Sequence, residues 1–278
     1  MSRIVLVLLL VVVVIPAARG AGGVPDFDHV VVVIFENKEE AQVIGAGTAP
    51  TFTSLARHYA QLTRYYAVTH PSLPNYVALV SGGTQGITSD CTTCIVNARN
   101  LADSLDASGR TWKTYAEGLP QPGFTGAFAG RYAKKHVPFL YFRDIAASPG
   151  RRRRVVSLTQ LRADLRANAL PAFALVVPDL CHSMHDCSVR TGDRWLAATI
   201  PPLLKLPNTV VFVIFDEGTS HNRVPALALG TAVRPGTRVG SRTGHYSLLR
   251  TVEAAWGLPL LGHSAAAKPI VGIWKQSG

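Results

Sequence analysis

Long apolar runs are scarce in this 278-residue chain, and the clearest one, at residues 4–15, is short. A membrane-spanning helix needs about 20 apolar residues, so this run does not predict one. It follows Arg3 and precedes Pro16 and a stretch of mostly small residues, which is the order of a secretory signal peptide. We therefore expect residues 1–20 to be cleaved and the protein to be exported, to the extracellular space or the periplasm. An uncleaved N-terminal anchor is the alternative.

Several familiar signatures are also missing. The sequence has no linker, repeat or low-complexity segment, so residues 21–278 are expected to form one domain. Gly45 and Gly47 are followed by Pro50 where a dinucleotide-binding loop needs a third glycine. The sequence contains no Gly-x-Ser-x-Gly, which weighs against a secreted serine esterase built on Ser72, His245 and an aspartate.

Acidic residues are few, with 17 Asp and Glu against 28 Lys and Arg. Loss of Arg3 and Arg19 with the signal peptide lowers the formal charge from +11 to +9. Such a surface attracts phosphate-bearing substrates, anionic membranes or nucleic acid, and charge alone does not choose among them. The four arginines at residues 151–154 have no interleaved aromatic residues, so we interpret them as a solvated loop and expect no nucleic-acid partner.

Only four cysteines are present, as two close pairs: Cys91 with Cys94, and Cys181 with Cys187. In an exported chain such pairs meet oxidising conditions, so we expect two local disulfides. A four-cysteine zinc site is the alternative, but the second pair is wider than the usual spacing.

The apolar residues that are present form short β-branched runs separated by helical patterns, which is typical of an α/β fold. The continuous run at residues 29–35 predicts a central strand. We expect a mainly parallel central sheet with helices on both faces. Further strands are predicted at residues 64–69, 172–177, 209–215 and 225–229, and helices at residues 51–60, 73–80, 100–107, 158–168 and 245–256. Residues 118–150 are expected to be a long loop over one edge of the sheet.

Polar clusters follow directly after several of these strands. The carboxyl ends of parallel strands share one edge of a sheet, where ligands bind, so the clusters should converge on one site. The clusters are Glu36-Asn37, His70 with Ser72, Asp179 with His182, His185 and Asp186, and Asp216-Glu217.

Ser72 is the predicted nucleophile of this site. It precedes the helical run at residues 73–80, so its hydroxyl should lie beside free N–H groups and the positive end of a helix dipole, where phosphate binds. A plain helix N-cap is the alternative interpretation. A serine nucleophile needs a metal or a base to help it lose its proton.

Four residues are predicted to supply the metal: Glu36, Asn37, Asp216 and Glu217. They offer oxygen ligands only, which suit Mg²⁺, Ca²⁺ or Mn²⁺ better than Zn²⁺. Three carboxylates packed together would repel one another without a cation.

Histidines are the remaining candidates for acid–base work and phosphate binding. Two of them, His182 and His185, lie near Asp179 and Asp186, and a third, His245, follows a glycine. These three could hold a second metal or donate to phosphate oxygens. His136 is a candidate for the substrate side of the site.

Together these residues resemble a known family. The strings Phe35-Glu36-Asn37, His70-Pro-Ser-Leu-Pro-Asn-Tyr76, Pro178-Asp179, Phe215-Asp216-Glu217 and Gly244-His245-Tyr246 are similar to those of the bacterial phosphoesterases, a family of acid phosphatases and phospholipases C. That family belongs to the alkaline-phosphatase-like superfamily. The order and spacing agree over nearly the whole chain after residue 20.

The resemblance implies specific roles. Ser72 would be the nucleophile that is transiently phosphorylated, and Glu36, Asn37, Asp216 and Glu217 would bind the metal that it contacts. Asp179, His182 and His245 would be the ligands of a second ion, although Glu217 stands where the two-metal enzymes carry His. The residues expected to assist catalysis are His70, His182 and His245, and those expected to bind substrate are Asn75, His136 and His185.

The function predicted from the sequence is therefore a secreted, metal-dependent, acid-phosphatase-like hydrolase of phosphoric esters that acts through a phosphoserine. A phospholipase C or other phosphodiesterase, with membrane phospholipid as substrate, is the alternative. A basic binding protein that has kept the fold without catalysis is the non-enzyme alternative. The sequence leaves the oligomeric state open.

Overall fold

The computed structural model describes residues 23–275, so the predicted signal peptide, residues 1–20, lies outside the described residues. In this part of the chain, strands alternate with helices in the order expected of an α/β fold. The strands are β1 (His29–Phe35), β2 (Ala60–Leu62), β3 (Tyr65–Tyr66), β4 (Trp112–Ala116), β5 (Phe128–Ala129), β6 (Tyr132–Ala133), β7 (Val155–Ser157), β8 (Phe173–Val177), β9 (Thr209–Phe215), β10 (Ala226–Leu229), β11 (Arg238–Val239) and β12 (Thr243–Gly244).

The helices connect these strands, and short 3-10 turns occur at Lys134–His136, Pro138–Tyr141 and Gly262–Ala265. Five of the helices lie where the sequence predicts them, whereas the eleven-residue helix at Val189–Thr199 was not predicted. The helices are α1 (Glu40–Val43), α2 (Pro50–His58), α3 (Ser72–Ser81), α4 (Leu101–Ala107), α5 (Arg143–Ala146), α6 (Pro149–Arg152), α7 (Thr159–Arg166), α8 (Val189–Thr199), α9 (Pro201–Leu204) and α10 (His245–Trp256).

The central sheet has eight strands in the order β11-β2-β10-β9-β1-β8-β4-β7. All pairs are parallel except those that β10 makes with β9 and β2. β1 and β9 lie in the middle, and every residue of β9 is buried. Because successive side chains of a strand point to opposite faces, complete burial requires cover on both faces. The predicted mainly parallel α/β fold is confirmed.

Two predicted segments differ in the structure. The strand expected at residues 64–69 is only β3, because the backbone beyond it bonds to other groups: Ala67 N–H donates to the carbonyl oxygen of Asn222 at 2.9 Å, and Asn75 Oδ1 accepts from Val68 N–H at 2.9 Å. Residues 118–150 are not a loop over an edge. They contain β5, β6 and short helical turns, and Phe139 and Tyr141 within them are fully buried.

The arginine run is also not a solvated loop. Arg151, in α6, forms salt bridges with Asp103, Asp106 and Asp144, and Arg154 forms one with Asp106. Much of the positive charge of this run is therefore balanced by carboxylates from α4 and α5. Among the described residues, no helix is both long and apolar enough to cross a membrane.

Candidate active site

Strands β1 and β9 bring the two acidic clusters together. They pair in parallel with Phe35 opposite Phe215, and Asp216 N–H donates to the carbonyl oxygen of Phe35 at 2.9 Å. The residues that follow, Glu36 and Asp216, are both fully buried. Convergence of these clusters at one sheet edge follows from the in-register pairing.

Ser72 is the first residue of α3 and lies at the centre of the carboxylates. Its hydroxyl is within hydrogen-bonding distance of Glu36 Oε2 and Glu217 Oε1, 3.1 Å from each. Its side chain is almost wholly buried, with 1% of the residue exposed. A serine at this place has two carboxylate acceptors for its proton and the N–H groups of a ten-residue helix beside it.

The turn that leads into α3 is fixed by Asn75. Its Oδ1 accepts from the N–H groups of Val68 and Thr69, and its Nδ2 donates to the carbonyl oxygens of Thr69 and Pro71, all between 2.8 and 3.0 Å. These four bonds use the full capacity of the amide. The expectation that Asn75 binds substrate is therefore not met in this arrangement, and its contacts hold the turn that places Ser72.

Two buried oxygen atoms beside Ser72 have no hydrogen-bond partner among the described residues: Asn37 Oδ1 and Asp216 Oδ2. Asn37 has a φ of 53°, a left-handed conformation that asparagine tolerates better than most residues, and its N–H donates to Asp216 Oδ1 at 3.2 Å. Unpaired buried acceptors are costly unless something positive binds them. An all-oxygen group of this kind suits a hard divalent cation.

The pKa values of the three carboxylates near Ser72 are all raised. Burial, followed by the charge of Asp216, raises the pKa of Glu36 well above its usual range. Burial and the charge of Glu217 raise the pKa of Asp216 to about 7. Burial raises the pKa of Glu217 as well, and its bond to His70 opposes the rise. A cation among them would oppose these rises in pKa, because an adjacent positive charge favours the ionised carboxylates.

Glu36 is held in place by two aromatic residues. Tyr76 donates its hydroxyl to Glu36 Oε1, and His136 Nε2 lies 3.3 Å from the same oxygen. The two rings stack with their centroids 5.2 Å apart, and burial lowers the pKa of His136 well below its usual range. Tyr76 was missed at the sequence level, although it lies four residues after Ser72 and so on the same face of α3.

His185 and Lys135 form the polar wall next to His136. Lys135 Nζ lies 3.3 Å from His185 Nε2 and donates to Asp90 Oδ2 at 2.7 Å. Asp90 in turn accepts from Leu73 N–H at 2.9 Å, at the start of α3. The ligand atoms of Glu36, His136 and His185 lie within 4.8 Å of one another. His136 and His185, predicted as substrate-binding residues, therefore both lie close to Glu36.

His70 contacts the opposite side of Glu217. Its Nδ1 is paired with Glu217 Oε2, and 45% of its side chain is exposed. The other carboxylate oxygen of Glu217 faces Ser72. His70 is therefore a partly exposed residue that is linked to the buried Ser72 through Glu217.

His245 lies on the far side of Asp216 with both ring nitrogens occupied. Burial lowers its pKa to about 4, so the ring is neutral near neutral pH. A carbonyl oxygen can only accept, so Nε2 donates to the backbone oxygen of Asp216 at 2.6 Å. Nδ1 is then the acceptor for the Tyr65 hydroxyl at 3.0 Å. In this arrangement His245 has neither a lone pair for a metal nor an acidic proton for a leaving group.

Asp179 and His182 are brought together, but with Glu117 in place of His245. His182 Nδ1 donates to Glu117 Oε2 at 2.9 Å and lies 3.4 Å from Asp179 Oδ1. Among the described residues, the third side chain with a possible metal-ligand atom close to Asp179 and His182 is Glu117. The predicted second-metal set of Asp179, His182 and His245 is therefore corrected, with Glu117 in place of His245. Glu117 follows β4 as Glu36 follows β1, and it was missed because β4 was not recognised.

Both predicted disulfides are present. Cys91 is bonded to Cys94, and Cys181 is bonded to Cys187. The second one closes the loop after β8, which reaches the site through Ser183, whose carbonyl oxygen accepts from Glu36 N–H at 2.9 Å. Lys38 Nζ joins the same loop to the residues that follow β1 by donating to the carbonyl oxygens of Asn37 and Met184.

Comparisons with known proteins identify the family of this chain. The model of the Phosphoesterase family matches residues 46–259. A phosphatidylinositol-3-phosphatase of Mycobacterium tuberculosis is 37% identical over 91% of this chain and 85% of its own length. An acid phosphatase of Aspergillus fumigatus is 34% identical over 75% of this chain, but the match spans 51% of that protein. A phosphate-repressible acid phosphatase of Penicillium chrysogenum is 30% identical over 85% of this chain and 60% of its length.

Solved structures give the same fold at lower identity. A Vibrio parahaemolyticus protein of the alkaline phosphatase superfamily superposes with a TM-score of 0.61, covers 92% of this chain and 72% of its own, and is 16% identical. That likeness concerns the fold, while the family match is one of sequence that includes Ser72, Asp216 and Glu217 and begins after Glu36. The chain belongs to the Phosphoesterase family and is a hydrolase of phosphoric esters.

Proposed function

We propose that this protein is a metal-dependent, acid-phosphatase-like enzyme that hydrolyses phosphomonoesters through a phosphoserine at Ser72. The observation that carries the proposal is the position of the Ser72 hydroxyl, which is buried at a helix N-terminus 3.1 Å from two carboxylate oxygens. Few structural roles need a serine among three buried carboxylates, whereas a nucleophile needs both an acceptor for its proton and nearby positive charge.

The metal would be held by Glu36, Asn37, Asp216, Glu217 and the oxygen of Ser72. The unpartnered Asn37 Oδ1 and Asp216 Oδ2 support this assignment, and the all-oxygen set favours Mg²⁺, Mn²⁺ or Ca²⁺ over Zn²⁺. When bound, a divalent ion supplies positive charge beside the serine oxygen and the phosphoryl group.

The protein residues carry the two chemical steps. Ser72 Oγ attacks phosphorus in line with the leaving oxygen, and its proton passes to the carboxylate oxygen that accepts its hydrogen bond. The Oγ–P bond forms, the bond from phosphorus to the leaving oxygen breaks, and that oxygen takes up a proton. Water then attacks the phosphorus of the phosphoserine. Its oxygen forms a bond to phosphorus, the Oγ–P bond breaks, and one proton of the water passes to Oγ.

The surrounding residues orient these groups. His70 and Tyr76 fix Glu217 and Glu36 from their outer sides. His185 and Lys135 face the same centre and are the residues that we assign to the phosphoryl oxygens and the leaving group. We assign His245 to positioning, because its Nε2–H holds the backbone of Asp216.

The substrate class is proposed from the names of the relatives. Both the phosphatidylinositol-3-phosphatase and the acid phosphatases are named for removal of a phosphate group, which favours phosphomonoesters, including phosphorylated lipid headgroups, over the diesters cleaved by a phospholipase C. We further propose that residues 1–20 are cleaved, that the protein is exported, and that residues 21–278 form a single domain. The two disulfides support the export.

One assay tests this function. The purified protein is given an aryl phosphate, an aryl phosphodiester, phosphatidylcholine and an aryl carboxylate ester, each with and without a chelator. We expect the aryl phosphate to be cleaved fastest, and a hard divalent ion to restore the activity that the chelator removes. Preference for phosphatidylcholine would support the phospholipase C alternative, and cleavage of the carboxylate ester alone would support an esterase. No hydrolysis at all would indicate a binding protein.

A further inference from the structure

A separate cavity of about 410 Å³ lies at the start of α10. Its wall includes Tyr66, Arg242, Thr243, Tyr246 and Lys268, and it contains no carboxylate. Arg242 stacks over the ring of Tyr66, with 3.9 Å from its guanidinium carbon to the ring centroid. The salt bridges of the described residues involve other lysines and arginines. The charge of this cavity is therefore positive and available to an anion.

The helix that begins here adds to the positive potential. α10 is twelve residues long, no side chain caps its first turn, and that turn has no acidic residue. The N–H groups of an uncapped first turn carry the positive end of the helix dipole and bind anions well.

A third observation comes from Thr243, which lies in the wall of the cavity and has 8% of its surface exposed. Its hydroxyl has no hydrogen-bond partner among the described residues. A buried hydroxyl without a partner is costly, and an anionic oxygen in the cavity is a partner of the right chemistry.

The cavity adjoins the catalytic centre on two sides. His245, in its wall, donates from Nε2 to the backbone oxygen of Asp216. Val68, also in the wall, donates its N–H to Asn75, which fixes the turn before Ser72. The wall of the cavity is therefore linked by hydrogen bonds to Asp216 and Asn75, two residues of the candidate site.

We propose that this cavity binds a second phosphate group, which is not the one hydrolysed. It recognises that group with Arg242, Lys268, the Thr243 hydroxyl and the first N–H groups of α10. The phosphate comes either from the leaving group of a doubly phosphorylated substrate or from free inorganic phosphate. The first source rests on the function proposed above, and the second is independent of it.

Kinetics with paired substrates test the first source. Arg242→Ala, Lys268→Ala and the double variant are compared with the parent on inositol 1-phosphate and inositol 1,4-bisphosphate at low ionic strength. We expect the ratio of the two KM values, bisphosphate over monophosphate, to rise about tenfold in the double variant, since a lost charge-assisted hydrogen bond has about that effect. The controls are Arg238→Ala and Lys275→Ala, which remove exposed positive charges outside the cavity and should leave the ratio as in the parent.

Inorganic phosphate tests the second source. In the parent it should inhibit with a noncompetitive component, and calorimetric titration should show a second bound phosphate, both of which the double variant loses. An unchanged KM ratio, together with unchanged inhibition and stoichiometry, would overturn the proposal. If the parent hydrolyses no phosphate ester, the proposed function fails, but the titration of parent and double variant still decides whether the cavity binds phosphate.

Discussion

Three carboxylates surround one serine hydroxyl, and burial raises the pKa of each of them. Protonation would relieve their repulsion, and so would a cation. Only the cation also leaves the carboxylates free to take the proton of Ser72. The unpartnered oxygens of Asn37 and Asp216 favour the cation. At the scale of single residues, the account therefore depends on a metal held by Asp216 and its neighbours.

Asp216→Asn tests this dependence. The amide has nearly the same shape but no charge, so we expect divalent-ion affinity to fall more than about 100-fold, beyond the effect of a lost outer-shell partner. Calorimetric titration of Mg²⁺ or Mn²⁺ measures it, and kcat/KM should fall in parallel. Asp26→Asn, which alters a surface pair with Arg110, is the matched control. Parent-like affinity in Asp216→Asn would show that the metal lies elsewhere.

At the scale of elements, α3 determines where Ser72 lies, and its end is as constrained as its beginning. Gly82 terminates it with a φ of 74°. A Cβ there would collide with the carbonyl oxygen of Leu261. Gly257 terminates α10 with a φ of 61°, and a Cβ there would meet no atom within 4 Å.

These two glycines form a matched pair. Gly257→Ala should cost about 1 kcal/mol, from the left-handed backbone alone. Gly82→Ala should cost about 3 kcal/mol or more, because close packing against backbone adds strain. Denaturant unfolding of both variants measures the difference, and equal costs would mean that Leu261 yields without penalty.

The far end of α10 contains a pH-dependent contact. Burial raises the pKa of Glu253 from 4.5 to about 7, while Leu261 N–H and the Ser264 hydroxyl donate to it. The folded state therefore keeps a proton that the unfolded chain releases, so this contribution to stability is complete below pH 4.5 and is lost as the pH rises to about 7. Glu253→Gln should remove this pH-dependent change in the free energy of unfolding, which is about 1–2 kcal/mol after allowance for solvent screening. Identical profiles of unfolding free energy for parent and variant would contradict it.

The elements also show what the sequence could predict. β1 and β9 are continuous in Val, Ile and Phe, so their buried character and the polar residues after them were visible. β4, with Lys113 and Thr114 in its middle, has no such pattern, and Glu117 was missed with it. Lys135, Tyr76 and Asp90 reach the site through tertiary contacts. Likewise, the second hydrogen-bond partner of the His245 ring is Tyr65, which lies 180 residues away.

At the scale of the whole molecule, the cysteines favour an oxidising compartment. The described cysteines are all paired. Disulfides of this kind persist in oxidising compartments. Each closes only a short loop, for which chain entropy gives roughly 2 kcal/mol.

Intact-mass analysis of the protein recovered from the exporting cell tests this view. We expect a chain that begins near residue 21 and is 4 Da lighter than its fully reduced form, since each disulfide removes two hydrogens. Chemical reduction before analysis is the control. Four free thiols or a retained Met1 would argue against export.

The central claim is that Ser72 itself becomes phosphorylated. Ser72→Ala should fold normally, because the Ser72 side chain does not cap α3, while hydrolysis falls by several orders of magnitude. Loss of activity alone would not distinguish a nucleophile from a residue that positions water. The distinction requires a trapped intermediate.

Acid quenching of the parent during turnover of an aryl phosphate, followed by proteolysis and mass spectrometry, makes that distinction most directly. We predict a peptide that contains Ser72 and is heavier by one phosphoryl group, about 80 Da, and that is absent without substrate. The matching peptide of Ser72→Ala should remain unmodified. An unmodified Ser72 peptide during steady turnover, with Ser72→Ala still active, would contradict the covalent mechanism.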